Sequence, residues 1–159
     1  MKNQKKIILN DATDYGECFA CGPKNPYGLK LQFIEEKNTV KTTFKCTKEY
    51  QGFPGYIHGG IITTILDEVM SRVSVLEGKW ASTAKLDLRF KELIPINENI
   101  IAQAKKIRML GKFIQVEGNI YLSNGAIAAE GKGMFAILNE NFLKEMSEDY
   151  PSLSQNWMY

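Results

Sequence analysis

The sequence predicts an α+β domain in which a curved, mostly antiparallel sheet of six strands wraps one long helix. Two patterns carry that expectation. Between Gly59 and Gly78, apolar residues recur at helical spacing over about 18 residues. On either side, short stretches alternate apolar and polar residues at the period of a strand, two before the helix and four after it. A single helix of that length cannot cover both faces of six strands. The sheet must curve round it, and its other face needs a further cover, so a homodimer at least is expected.

The elements follow in chain order. Residues 1–28 are a polar, turn-rich lead-in that contains Cys18 and Cys21. Leu29 to Glu36 and Val40 to Cys46 alternate as a strand pair joined around Lys37-Asn38. The loop Gln51-Gly52-Phe53-Pro54-Gly55 leads into the helix, which Gly78 ends. Ala81 to Leu93 alternates again, with Leu86, Leu88 and Phe90 on one side and Lys85, Asp87, Arg89 and Lys91 on the other, until Pro95 stops it. Ile100 to Arg108, Lys112 to Leu122 and Ala126 to Leu138 read as three further strands. They turn at Leu110-Gly111 and at Ser123-Asn124-Gly125, the Asn-Gly pair being a strong hairpin signal. The last strand carries Ala129, Gly131 and Gly133 on one face, which marks close approach by a helix, a backbone or a ligand. Asn139 to Tyr159 is an amphipathic, partly helical tail, irregular after Pro151.

The helix is where chemistry concentrates. Ile62, Leu66, Val69, Val73 and Leu76 form a core-facing stripe, with Ile65 and Met70 at its edges. Asp67 lies nearly opposite, among Thr63, Thr64, Ser71 and Ser74. Small hydroxyls around one acid suit a face covered by another chain or a ligand, although a plain surface acid would fit the same pattern. Glu68 and Arg72 make an i,i+4 pair on a flank. At the start of the helix stand the single histidine, His58, and the pair Gly59-Gly60. The first turn of a helix has unpartnered N–H groups and partial positive charge, and glycine there lets a carbonyl come close.

Composition bounds the alternatives. With 159 residues and a net charge of +2, acids and bases are mixed along one domain, which argues against a nucleic-acid-binding surface. No apolar run approaches the roughly 20 residues of a membrane span, and the run after Lys6 is too short for a signal peptide, so a cytoplasmic location is expected. Three cysteines, Cys18, Cys21 and Cys46, do not suggest a disulfide framework. Cys18-Phe19-Ala20-Cys21 invites a zinc or redox reading. The remaining ligand types, Cys46 and His58, are isolated from each other, and the pair is followed by loop residues rather than a helix, so packing of the lead-in is the favoured role and no metal is expected.

Taken together, these residues resemble a known family. The element order, His58-Gly59-Gly60 opening the helix and Asp67 nine residues after the histidine resemble the hotdog-fold acyl-CoA thioesterases. The nearest subgroup is the phenylacetate-pathway type of the 4-hydroxybenzoyl-CoA thioesterase superfamily. Cys21-Gly22-Pro23-Lys24-Asn25-Pro26-Tyr27-Gly28-Leu29, Tyr50-Gln51-Gly52-Phe53-Pro54-Gly55 and Thr83-Ala84-Lys85-Leu86-Asp87-Leu88-Arg89-Phe90 are similar to the corresponding stretches of such proteins. On this likeness residues 29–138 are the hotdog domain, and residues 139–159 the tail.

The resemblance implies roles. Asp67 matches the catalytic acid, as nucleophile or as general base on water, and Gly59 the glycine whose N–H polarises the thioester carbonyl. His58 matches the motif histidine, and Thr83 a hydroxyl near the reacting centre contributed across the dimer. Gly60, Gln51 and Glu68 are candidates for substrate contact, Gln51 in the place of a water-positioning amide. The substrate would be an acyl-CoA, with no separate cofactor and no nucleic-acid or membrane partner. The site would lie between subunits of a homodimer or a dimer of dimers. Arg89, Lys91, Lys105, Lys106, Arg108 and Lys132 are candidates for the coenzyme A phosphates. Two other functions stay open, a non-catalytic acyl-CoA-binding module and a hotdog hydratase, the latter disfavoured because it needs a catalytic histidine well ahead of the helix.

Overall fold

The computed structural model describes the backbone of Lys6–Ile8 and residues 16–149. The strands are β1 (Lys6–Ile8), β2 (Phe33–Glu36), β3 (Thr39–Lys45), β4 (Ala81–Phe90), β5 (Asn99–Leu110), β6 (Phe113–Tyr121) and β7 (Ile127–Ile137). The helices are α1 (Gly59–Leu76) and α2 (Glu140–Asp149), with a 3-10 turn at Lys48–Tyr50. The strands form one sheet in the order β1-β2-β3-β5-β6-β7-β4, every neighbouring pair antiparallel. The predicted six strands are present, wrapped around α1.

Two differences lie at the N-terminal side. The lead-in supplies a seventh strand, β1, with Ile7 opposite Ile34 of β2. Three residues are too few to show alternation, so only the pairing reveals the strand. The first predicted strand also starts late, at Phe33 rather than Leu29. Lys30 sits at φ 54°, outside strand geometry. The N–H groups of Leu29 and Leu31 donate instead to the carbonyls of Phe19 and Ala20, which docks the lead-in on the domain. Beyond Asp149 the predicted tail lies outside the described residues.

Turn chemistry agrees with the sequence. Lys37 and Asn38 have φ of 53° and 59°, the paired left-handed conformation of a tight hairpin. Gly78 lies just past the helix at φ 67°, where a side chain would be strained.

The core forms between α1 and the concave face of the sheet. Ile62, Ile65, Leu66, Val69, Met70 and Val73 are buried against Val40, Ala102, Ile114, Val116, Ile120, Ala129 and Phe135. Burial of each such aliphatic side chain is worth about 1.5–3 kcal/mol. The glycine stripe has a packing cause. A Cβ on Gly118 would lie 2.9 Å from Met70 Cγ, and one on Gly131 would lie 3.3 Å from Met70 Cε. Met70 therefore seats in a notch made by β6 and β7.

The edge strand β4 positions the site. Its register with β7 shifts between Thr83 and Lys85, a bulge that takes Ala84 out of the pairing. Strict alternation would put Thr83 on the outer face, away from Leu86 and Leu88. The bulge places it opposite the core residue Phe135 instead, so its side chain faces the helix.

Gly118→Val should therefore lower stability by about 1–3 kcal/mol through overpacking. Combining it with Met70→Ala should recover part of that loss, because one change vacates what the other fills. Chemical denaturation of the two single variants and the double variant reads the coupling, and simple additivity would contradict the notch.

Candidate functional site

At the helix entrance His58 is the N-cap, with φ −66° and ψ 136°. Its Nδ1 accepts the Gly60 N–H at 2.8 Å, and its carbonyl accepts from Ile61 and Ile62. A neutral His58 in this role carries its proton on Nε2. The Gly60 N–H is thus committed to the cap, which removes the donor that the sequence offered for substrate contact. Thr63 and Thr64 donate back to the carbonyls of Gly59 and Gly60 at 2.9 Å. The Gly59 N–H is left without a hydrogen-bond partner among the described residues, at the positive end of α1. Gln51 also has a task of its own: its Oε1 accepts the Gly55 N–H at 2.9 Å and holds the loop shut. Gln51, His58, Gly60 and Thr64 line a shallow depression of about 440 Å³.

Asp67 lies further along α1, half-buried, with its Oδ1 accepting from Thr83 Oγ1 at 2.7 Å. This bond joins two residues of one chain. Asp67 has no ion pair among the described residues. Burial pushes its pKa up from the usual 3.8, the Thr83 hydrogen bond pulls the other way, and the neighbouring Glu68 charge adds to the rise. A carboxylate kept short of water and without a cation is a reactive base. Gly59 and Asp67 are eight residues apart on one helix, about 12 Å along its axis.

Glu68 belongs elsewhere. Sequence spacing put Glu68 and Arg72 on an ordinary flank, but Arg72 is only 6% exposed and the lead-in covers the pair. Arg72 Nη2 donates to Glu68 Oε1 at 2.6 Å and to Cys21 Sγ at 2.8 Å. Glu68 is therefore held on a flank about 100° round the helix from Asp67. Ser74 is likewise buried, its hydroxyl donating to the Ser71 carbonyl. Sequence reasoning paired Arg72 with Glu68 but missed its burial: nothing in its spacing announces that a loop fifty-one positions earlier folds over it.

Most candidate phosphate-binding cations are engaged. Lys91 pairs with Glu130, Lys105 with Glu117 and Lys106 with Glu77, while Arg108 donates to Gln115. Arg89 and Lys132 form no ion pair among the described residues and line a depression of about 460 Å³ on the outer face of β4, β6 and β7. Among the described residues no helix is long and apolar enough to cross a membrane.

No family model matches the chain. It is 33% identical over 119 residues to mouse (Mus musculus) acyl-coenzyme A thioesterase THEM4, covering 75% of this chain and 50% of the relative. Human (Homo sapiens) acyl-coenzyme A thioesterase THEM5 is 26% identical over 64% of this chain and 39% of its own length. The chain thus spans half or less of these curated relatives. A crystal structure of a thioesterase superfamily protein superposes with TM-score 0.72 and 26% identity, over 82% of this chain and 66% of that one. The fold is the hotdog fold, shared with that thioesterase superfamily protein. The Escherichia coli PaaI protein of the phenylacetic acid degradation operon shares the hotdog architecture at TM-score 0.65 and 14% identity, over 70% and 81% of the two chains. So does a hypothetical thioesterase from Streptococcus pneumoniae, solved with coenzyme A at TM-score 0.65 and 13% identity, over 69% of this chain and 89% of that one. Two further structures of that protein carry alanine in place of one aspartate and one threonine, residues sixteen positions apart.

The Asp67 environment makes a pH-dependent difference in stability. Its folded pKa lies above the unfolded value, so the native state holds the proton more tightly, and stability falls as pH rises from the ordinary 3.8 through the raised value. Asp67→Asn keeps an acceptor for Thr83 and has no charge to bury. The variant should be more stable than the parent at pH 7, with the margin shrinking as pH drops through that window. Denaturation of both proteins across pH measures the margin, and a margin that widens on acidification would refute the desolvated carboxylate.

Proposed function

We propose that the chain hydrolyses acyl-CoA thioesters, with Asp67 as the acid that either activates water or attacks the carbonyl carbon. The observation that carries this reading is the desolvated, cation-free Asp67 carboxylate held by Thr83 beside an open sheet edge. The names of the mammalian relatives support the substrate class, as does the coenzyme A bound by the streptococcal hotdog protein. Asp67 and Thr83 are sixteen positions apart, the same separation as the aspartate and threonine substituted in that protein.

In this mechanism the Gly59 N–H is the oxyanion donor. As a thioester carbonyl is attacked, negative charge gathers on its oxygen, and the free N–H at the helix start meets it without reorganisation. Asp67 takes a proton from the attacking water, or forms an anhydride that water then opens. In both routes the thiolate of coenzyme A leaves. Thr83 orients the carboxylate and keeps its pKa from rising further. His58 is a positioning residue: it caps the helix and takes the neighbouring Gly60 N–H out of play, leaving Gly59 as the donor.

One carbonyl cannot touch two groups about 12 Å apart. The Gly59 and Asp67 that serve one thioester must then come from two copies of the chain, which supports self-association as a homodimer or a dimer of dimers. β4 suits that arrangement, since it ends the sheet with Ser82 to Lys85 exposed and Thr83 against Asp67.

Asp67→Asn should reduce kcat by about 10²–10³ or more on short-chain, long-chain or aromatic acyl-CoAs, whichever the parent turns over. Gly59→Pro removes the proposed donor at a position where proline is helix-compatible, and His58 already has the extended backbone proline requires of its neighbour. It should lose a similar factor with the fold intact by circular dichroism. Mixing the two variants should restore about a quarter of the parent activity, because half the dimers then hold one complete site. Binding of acyl-CoA with no turnover by the parent would instead establish a non-catalytic module. Absence of complementation would place donor and acid in one chain.

Thr83→Ala should lower kcat less than Asp67→Asn, and move the acidic limb of the pH–rate profile upward, because the lost hydrogen bond was holding the Asp67 pKa down. A limb that stays in place would show that Asp67 is not the titrating group.

A further inference from the structure

The cysteine pair of the lead-in has an environment that its sequence did not announce. Cys18 and Cys21 pack onto the flank of α1 that carries Glu68 and Arg72, where both sulfurs and a Glu68 carboxylate oxygen lie within 4.8 Å of one another. Cys21 is buried and Cys18 is partly exposed. The loop is fixed rather than draped: Gly22 donates to the Cys18 carbonyl at 2.8 Å, and the flanking Phe19 and Ala20 carbonyls hold Leu29 and Leu31. A Cβ on Gly22 would lie 2.3 Å from the Gly16 carbonyl oxygen, so the turn closes only with glycine.

We propose that Cys18 and Cys21 form a thiol–disulfide exchange site, with Cys18 as the attacking sulfur, Cys21 as the resolving thiol and a low-molecular-weight disulfide as the oxidant. Redox pairs of this spacing generally use a helix N-terminus to favour the thiolate. Here no helix follows, and two other features take its place. The Cys21 thiol and the backbone N–H groups of Ala20 and Cys21 favour a Cys18 thiolate, whereas the buried Arg72 guanidinium donates to Cys21 Sγ and acts on that sulfur. A hydrogen bond from Cys21 outweighs burial and lowers the Cys18 pKa to about 6, while the same bond and burial push Cys21 up. Cys18 is thus the more acidic sulfur of the pair.

The charges make the exchange reversible: the stabilised Cys18 thiolate supports the reduced pair, and the Glu68 carboxylate beside it opposes that thiolate. A Cys18 thiolate and a Glu68 carboxylate against one Arg72 leave the covered cluster with a net negative charge. Disulfide formation removes the thiolate and leaves the neutral Glu68–Arg72 pair. A divalent metal suits the cluster less well, because Arg72 Nη2 already bridges Cys21 Sγ and Glu68 Oε1 and would sit against the added charge.

The steps balance. The Cys18 thiolate attacks one sulfur of the small disulfide, whose S–S bond breaks to release one thiolate. Cys21 gives its proton to that thiolate and attacks the Cys18 sulfur of the mixed disulfide. A second small thiolate leaves, and two electrons have passed from the cysteines to the oxidant.

The test needs no hydrolase activity, so it stands apart from the thioesterase reading. The full chain is equilibrated in oxidised and reduced glutathione, its free thiols are alkylated, and its intact mass is read. The parent should protect two thiols as a disulfide that dithiothreitol reverses, leaving Cys46 free. Cys21→Ser should trap one glutathione on Cys18, and Cys18→Ser should trap none. In the parent, alkylation of Cys18 at pH 7 should be at least about tenfold faster than that of Cys46. Glutathione captured without preference for Cys18, or no disulfide at any ratio, would overturn the proposal. So would stoichiometric zinc in the purified protein that Cys18→Ser abolishes, which would make the cluster a metal site.

Discussion

The constraint on which this molecule rests is that one 18-residue helix must satisfy a whole curved sheet. Hydrophobic burial requires α1 to present one broad apolar face to the concave side of the sheet, and six of its side chains do so. The lead-in loop then closes the flank that carries Glu68 and Arg72. What remains is one lane, running from Gly59 past Thr63 to Asp67 and bounded by the sheet edge at Thr83. Asp67 lies on a part of the helix that neither the sheet nor the lead-in fully covers.

Two adjacent acids show how the surroundings divide labour. Asp67 and Glu68 are chemically similar and neighbours in the chain. Glu68 meets a buried guanidinium at 2.6 Å and is spent on structure. Asp67 meets a hydroxyl, keeps no counter-charge and has its proton affinity raised by burial. Helix geometry does the sorting, since one residue turns the side chain through about 100°. That turn separates a neutralising environment from an activating one.

How much was legible in the sequence follows from the range of each interaction. The helix, its apolar stripe, the hairpin turns and the six main strands rest on local periodicity and turn chemistry, and each is present. Asp67, Gly59 and His58 came to notice through spacing along that helix. The Glu68–Arg72 pair forms as its spacing suggested, but its burial was not legible, because the loop that covers Arg72 arrives from fifty-one positions away. Thr83 was named only through the resemblance, because strand alternation alone would turn it outward and the bulge at Ala84 that turns it inward leaves little trace in composition. β1 went unseen because three residues carry no period.

The bulge beside Thr83 also has a mechanical meaning. An edge strand with continuous alternation is a straight template that any extended segment can extend. By displacing one residue, β4 bends its ladder at the point where its hydroxyl reaches the helix, so only a surface with a matching bend can lie flush along it. A single irregularity in the backbone therefore aims a side chain inward and restricts what can dock outward, and neither role can be altered in isolation.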